Sequence, residues 1–315
     1  MRNYRKKREE YRKMGKGYYH LVTDGWKEGN IFNNVAQFAY GMILIGLITL
    51  KYSIVIYDFT LMPNHIHIVL SGTGDDAVKA FLYLKRKLNM RLLEDGFRPL
   101  PEDYGFKLIP IENERQMRDL IIYIDRNHYE KMLSVPGGYP WGSAYLHYSL
   151  FANLLSGKRV EDFGAKELEA VIRSRMKLPN HWEIHPVFGL LPKSFVKTRL
   201  IKKLFRGPKD YTTKLVKDYE SFVSIARDCG EEIEFDNNEL NDIVSIILQR
   251  EFKGKSIAQL DNDEMARLTV KLSKQYDIHA QTISDCLGVS LHLVNQFLRS
   301  KDYGKGSWLP GKGRF

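Results

Sequence analysis

The stretch that decides the fold is Thr60-Leu-Met-Pro-Asn-His-Ile-His-Ile-Val-Leu70. Read as a β-strand, its period of two puts His65 and His67 on one face and Ile66 and Ile68 on the other. Alternate side chains on a strand face stand about 6–7 Å apart, close enough to converge on one divalent ion. Just upstream, Tyr52-Ser-Ile-Val-Ile-Tyr-Asp-Phe59 is a second β-branched and aromatic run. Met62-Pro-Asn64 between the runs predicts the turn of an antiparallel hairpin with the histidines on its second arm. Two histidines on one strand face predict a metal, but a reaction also needs a nucleophile. Tyr123, in Leu120-Ile-Ile-Tyr-Ile-Asp-Arg-Asn-His128, is the candidate.

Outward from the hairpin, residues 18–23 predict a strand, 30–47 a mostly apolar helix, 75–93 a helix, 106–110 a short strand ended by Pro110, and 114–130 a helix. In the last of these, Met117, Leu120, Ile121 and Ile124 form the buried side. The order β, α, β, β, α, β, α predicts a ferredoxin-like α+β sandwich, one antiparallel sheet with helices packed on a face, over residues 17–150. Residues 151–227 read as a basic helical linker region interrupted at Pro179, Pro186, Pro192 and Pro208. Between Asp228 and Asp242 stand seven acidic residues and no Lys or Arg, an abrupt change of charge that marks a boundary. Short helices follow, giving an expected all-α domain over 240–303 and then a Gly-rich basic tail, 304–315.

The chain has 315 residues, with 43% apolar and 12% aromatic side chains, enough for two domains with real cores. Its formal charge of +10 is clustered. Residues 2–16 hold eight Lys/Arg against Glu9 and Glu10, residues 79–98 add six, and residues 193–217 hold nine against Asp210. Such clusters are either solvated faces or the footprint of an anionic partner, nucleic acid first. Only Cys229 and Cys286 are present, in no paired spacing, which excludes a disulfide framework or zinc ribbon and fits a reducing cytoplasm. The apolar run 38–50 is shorter than the roughly 20 residues that span a bilayer, and the N-terminus is too charged for a secretory core, so no membrane segment is expected.

Two imidazoles need at least one further ligand. Asn127 lies four residues after Tyr123, so on a helix its amide and the phenol share a face. With two nitrogens, an amide oxygen and phosphate oxygens to complete the shell, Mg²⁺ or Mn²⁺ is the expected cofactor. A metal-polarised phosphodiester in a basic pocket can be attacked by a tyrosine phenolate, yielding a 5′-phosphotyrosine and a free 3′-OH. Two alternatives stay open. The histidines suffice for a water-activating metal phosphodiesterase, and a binding regulator could keep the fold without cutting.

In combination, Met62-Pro-Asn-His-Ile-His-Ile-Val-Leu70, Tyr123-Ile-Asp-Arg-Asn127 and Tyr139-Pro-Trp-Gly-Ser143 with Tyr148 behind it resemble the IS200-like single-tyrosine (HUH) transposases, especially the REP-associated tyrosine transposase branch. The resemblance covers residues 17–150. It implies His65, His67 and Asn127 as metal ligands, Tyr123 as nucleophile, and hairpin-containing single-stranded DNA as substrate for endonuclease and strand-transfer chemistry. It also implies a bacterial, nucleoid-associated enzyme, monomeric or homodimeric. One position departs from the branch, which reads Asn-Pro where this chain has Asn127-His128, so His128 is a further ligand candidate.

Near the C-terminus, residues 280–298 fit a helix-turn-helix template, with Ile283, Leu287, Val289, Val294 and Phe297 at buried positions, Ser284 at the crossing and Gly288 in the turn. The second helix, about 290–299, would expose His292, Asn295, Gln296 and Arg299 to a groove of duplex DNA. An ordinary helical hairpin is the alternative. In the first domain, Lys85, Arg86, Lys87 and Arg91 are candidates for tracking phosphates, and Tyr18, Tyr19 and Trp26 for stacking on unpaired bases.

Overall fold

Four β-branched and aromatic runs pair into one antiparallel sheet: β1 (Lys16–Thr23), β2 (Val55–Leu61), β3 (Ile66–Thr73) and β4 (Phe106–Ile111), in the order β2-β3-β1-β4. The computed structural model describes residues 2–26, 28–130, 138–149, 152, 154–231, 233 and 235–299, the side chains at 2, 3, 128–130 and 217 excepted. The fold class is α+β, and the hairpin closes with the Met62 N–H donating to the His65 carbonyl at 2.9 Å. The chain forms two compact units, Met1–Val216 and Lys217–Phe315.

In the first unit, α1 (Arg2–Arg12) precedes the sheet, and α2 (Val35–Lys51) and α3 (Gly74–Glu94) link its strands. Helix α2 starts five residues later than its apolar pattern predicts, because the Asn34 side chain caps it by accepting from the Gln37 N–H at 2.9 Å. Tyr19, Leu21, Phe59, Leu61, Ile66, Ile68 and Leu70 share one core with Leu44, Ile48, Phe81, Leu84 and Leu88 of these helices. Tyr19 is therefore a core residue and not a stacking platform, whereas Tyr18 is exposed. The register places the intervening residues, His20, Val22, Asp58, Thr60, His67 and Val69, on the opposite face. That face meets α4 (Glu114–Glu130), so helices cover both faces of the sheet.

The Tyr139-Pro-Trp-Gly-Ser143 segment runs beside the free edge of β2. Leu61 N–H donates to the Trp141 carbonyl at 2.8 Å, Ser143 N–H to the Phe59 carbonyl at 3.0 Å, and the Tyr139 hydroxyl to the Leu61 carbonyl at 2.7 Å. Gly142 sits in this seam, where a Cβ would stand 2.7 Å from the Phe59 carbonyl oxygen. The short helix α5 (Tyr145–Tyr148) follows.

The stretch expected to be a helical linker contains strands as well as helices, and up to residue 216 it lies within the first unit: β5 (Lys158–Arg159), α6 (Ala165–Ile172), β6 (Glu183–His185), β7 (Gly189–Leu190), α7 (Thr198–Lys203) and α8 (Pro208–Lys217). The apolar residues between its charges decide this, because Val160, Trp182, Ile184, Leu190 and Phe195 enter the same core as α2. Gly189, at φ +71°, allows the close approach, since a Cβ there would lie 2.3 Å from the Ala39 carbonyl oxygen. Residues 40–48 of α2 are thus buried all round, which accounts for a helix with no polar face. Among the described residues no helix is long and apolar enough to cross a membrane.

The second unit is helical: α9 (Tyr219–Cys229), α10 (Asn237–Glu251), α11 (Asn262–Tyr276), α12 (Ala280–Leu287) and α13 (Leu291–Arg299). Its core holds Leu240, Ile243, Leu268, Leu272, Ile283, Leu287 and Val294. Helix α12 ends at Gly288 with φ +65°, and the Ser284 hydroxyl donates to the Val289 carbonyl at 2.7 Å. Val294 and Phe297 of α13 point inward, while His292, Gln296 and Arg299 are exposed and Asn295 is half-buried. The tail 304–315 and the end of the expected domain, 300–303, lie outside the described residues.

The seam beside β2 is testable. Gly142→Ala is expected to lower stability by about 1–3 kcal/mol, because a backbone oxygen must move. The measurement is the urea midpoint, with the slope of the unfolding line unchanged.

Candidate active site

His65 closes the turn and His67 sits one position inside β3. The backbone between them is held because Ile66 N–H donates to the Thr23 hydroxyl at 2.9 Å, and that hydroxyl also accepts from Tyr104 at 2.7 Å. The imidazoles face each other edge to face at 4.7 Å, and their ligating nitrogens lie within 4.8 Å of one another. In each ring Nδ1 is engaged: with the Asn64 side-chain oxygen at 2.8 Å in His65, and with His20 Nε2 at 3.0 Å in His67. His20, stacked on His67 at 5.3 Å, is the group that orients that ring. Burial, and next the neighbouring His65, hold the His67 imidazolium well below its ordinary range, so the ring is in the neutral form that binds a metal.

Helix α4 brings two of the predicted partners to the same place. The Tyr123 ring lies edge-on to His67 at 5.6 Å, and Asn127 Nδ2 is 3.4 Å from His67 Nε2. A half-turn of the Asn127 amide would put its oxygen where that nitrogen now stands. Two imidazole nitrogens and an amide oxygen therefore fit a divalent ion that retains open positions. The site is interior, with Tyr123 1% and His67 0% exposed. The His128 side chain lies outside the described residues.

The basic residues of α3 lie across the sheet from Tyr123. Lys85 donates to the carbonyls of Glu102 at 2.7 Å and Tyr104 at 2.8 Å, and Arg91 pairs with Asp95 at 2.7 Å. Arg86 stands over the Tyr83 ring at 5.8 Å, and Lys87 lines a small cavity with Tyr40, Arg91 and Arg173. His292, Asn295, Gln296 and Arg299 belong to the second unit.

A second polar cluster on the His67 face of the sheet escaped the sequence reading. Asp58 of β2, Asp125 of α4 and His147 of α5 are fully buried, and His147 Nε2 is 3.3 Å from Asp58 Oδ1 and 3.7 Å from Asp125 Oδ2. Ser143 donates to Asp58 Oδ1 at 2.5 Å, and Tyr211 to Asp125 Oδ2 at 2.7 Å. Burial, and then the adjacent Asp58, push the Asp125 carboxyl well above its ordinary range. One local signal was available: Asp58 is the one charged residue of β2, in step with Thr60 and hence with the histidine face.

No protein-family model matches the chain, and no curated protein does. A solved structure that aligns with it is that of a REP-associated tyrosine transposase bound to a REP hairpin, at 14% identity and a TM-score of 0.35, over 53% of this chain and 92% of that one.

The orienting role of His20 predicts that His20→Ala weakens Mn²⁺ binding by about 10- to 100-fold while preserving the fold. Ala at His65 or His67 is expected to remove binding at this centre. Calorimetric titration measures both, and an unchanged affinity in His20→Ala would show that the stacked ring does not hold the ligand.

Proposed function

We propose that the chain is a metal-dependent single-strand DNA endonuclease and strand transferase, a tyrosine transposase acting on hairpin-containing DNA. The convergence of Tyr123 and Asn127 on the His65/His67 pair is the observation that carries this reading. The strand order β2-β3-β1-β4, with α2 and α3 on one face, supports a ferredoxin-like description of the sheet.

His65, His67 and Asn127 would hold Mg²⁺ or Mn²⁺, and the ion would supply Lewis-acid polarisation of the scissile phosphate. The Tyr123 oxygen attacks phosphorus as its phenolic proton leaves to solvent. A phosphorus–oxygen bond forms to Tyr123, the bond to the 3′-oxygen breaks, and that oxygen takes up a proton as a free 3′-OH. The phosphotyrosine keeps the ester for transfer to a second strand. Because Tyr123 is buried, substrate entry requires the side chains over it to move. The edge-on contact of Tyr123 with His67 favours attack by the phenol over attack by water, for which the tyrosine would be incidental.

With labelled hairpin-bearing single-stranded DNA and Mn²⁺, the protein is expected to give a covalent adduct on a denaturing gel, and Tyr123→Phe to reduce it by about 10³-fold or more. Free 5′-phosphate ends without adduct would instead identify water as the nucleophile.

The hairpin of α12 and α13, with its left-handed Gly288 and exposed His292, Gln296 and Arg299, is proposed as a helix-turn-helix that binds duplex DNA, with half-buried Asn295 on the same helix. If Arg299 contacts phosphate, Arg299→Ala is expected to weaken duplex binding across sequences and reduce the slope of log affinity against log salt by about 1. An unchanged slope would remove Arg299 from the interface.

A further inference from the structure

We propose that Asp58, Asp125 and His147 form a second, enclosed divalent-cation site that ties the tyrosine helix to the edge of the sheet, separate from the His65/His67 centre. The three residues come from β2, α4 and α5, and each offers a ligand atom within 4.8 Å of the others. His147 Nε2 stands 3.3 Å and 3.7 Å from one oxygen of each carboxylate. Ligand atoms around a tetrahedral ion with bonds of about 2.0–2.1 Å stand about 3.4 Å apart, so the observed spacing is close to that of an assembled shell.

Three further observations point to a bound cation. First, Asp58 Oδ2 and Asp125 Oδ1 are both buried and have no hydrogen-bond partner among the described residues. Buried acceptor oxygens of this kind are rare unless something positive meets them. Second, neither carboxylate has a Lys or Arg ion pair among the described residues, and one divalent ion would neutralise both. Third, an outer layer is built. Ser143 is fixed by the Phe59 N–H at 2.8 Å and donates to Asp58, while Tyr211 donates to Asp125. Ligating carboxylates are characteristically oriented by such donors.

The donor set, one imidazole and two carboxylates with no sulfur, suits Zn²⁺ or Mn²⁺. Full enclosure gives the site a structural role. On α4, Asp125 stands two residues from Tyr123, so the cluster would tie the tyrosine helix to β2 and α5.

The test uses the full chain carrying His65→Ala and His67→Ala, which removes the first centre, expressed in Zn²⁺-supplemented medium and desalted. The expected result is about one equivalent of Zn²⁺ per chain by mass spectrometry, X-ray absorption showing nitrogen and oxygen ligands without sulfur, and a thermal midpoint that falls when a chelator strips the metal. Adding Asp125→Asn or His147→Gln is expected to abolish the bound Zn²⁺. If one of these does not fold, the other and the stoichiometry of the double variant still decide. Absence of metal from the double variant, with a midpoint indifferent to Zn²⁺ and chelator, would overturn the site in favour of two carboxyls sharing a proton. Zn²⁺ retained in folded Asp125→Asn and His147→Gln would overturn it as well.

Discussion

A sheet face that takes imidazole and carboxylate into the interior constrains whatever packs against it. His20, His67, Asp58 and Thr60 all lie on the face that meets α4, and all are buried. A buried polar group left without a partner costs about 1–3 kcal/mol if neutral and more if charged, and within this face His20 and His67 serve each other at 3.0 Å. Helix α4 brings Tyr123 and Asn127 against His67 and Asp125 toward His147, and all three are buried. Its apolar residues Met117, Leu120, Ile121 and Ile124 are buried as well.

The same requirement draws in the chain beyond residue 138. The Gly142 seam hydrogen-bonds to β2 and delivers Ser143 and His147 to Asp58. Helix α8 supplies Tyr211 to Asp125, and the carbonyls of Leu215 and Val216 lie 3.3 and 3.4 Å from the buried Arg126 guanidinium. The other face of the sheet asks only for apolar volume, and α2, α3 and the small β5-β6-β7 sheet provide it. One face is thus organised by packing and the other by matching polar partners, and the tyrosine stands on the second.

Much of the sheet was legible in the sequence because it is a local pattern. The strand alternation around His65 and His67, the Met62-Pro-Asn64 turn and the helix carrying Tyr123 each depend on side-chain periodicity within a few residues, and they occur where that pattern puts them. The middle region was less legible. Its abundant Lys and Arg obscured the scattered Trp182, Ile184, Leu190 and Phe195, whose common destination depends on Gly46 and Gly189 letting backbone and side chains close on α2.

By itself, the sequence determined which residues share a strand or helix face: His65 with His67, Tyr123 with Asn127, and Val294 with Phe297. Only the tertiary structure decided which faces meet. His20 reaches His67 across 47 residues, Ser143 reaches Asp58 across 85 and Tyr211 reaches Asp125 across 86, separations over which no periodicity carries information. The physical reason is that a buried polar atom specifies only that it needs a partner. Strand register and the placement of α4 specify which one it gets.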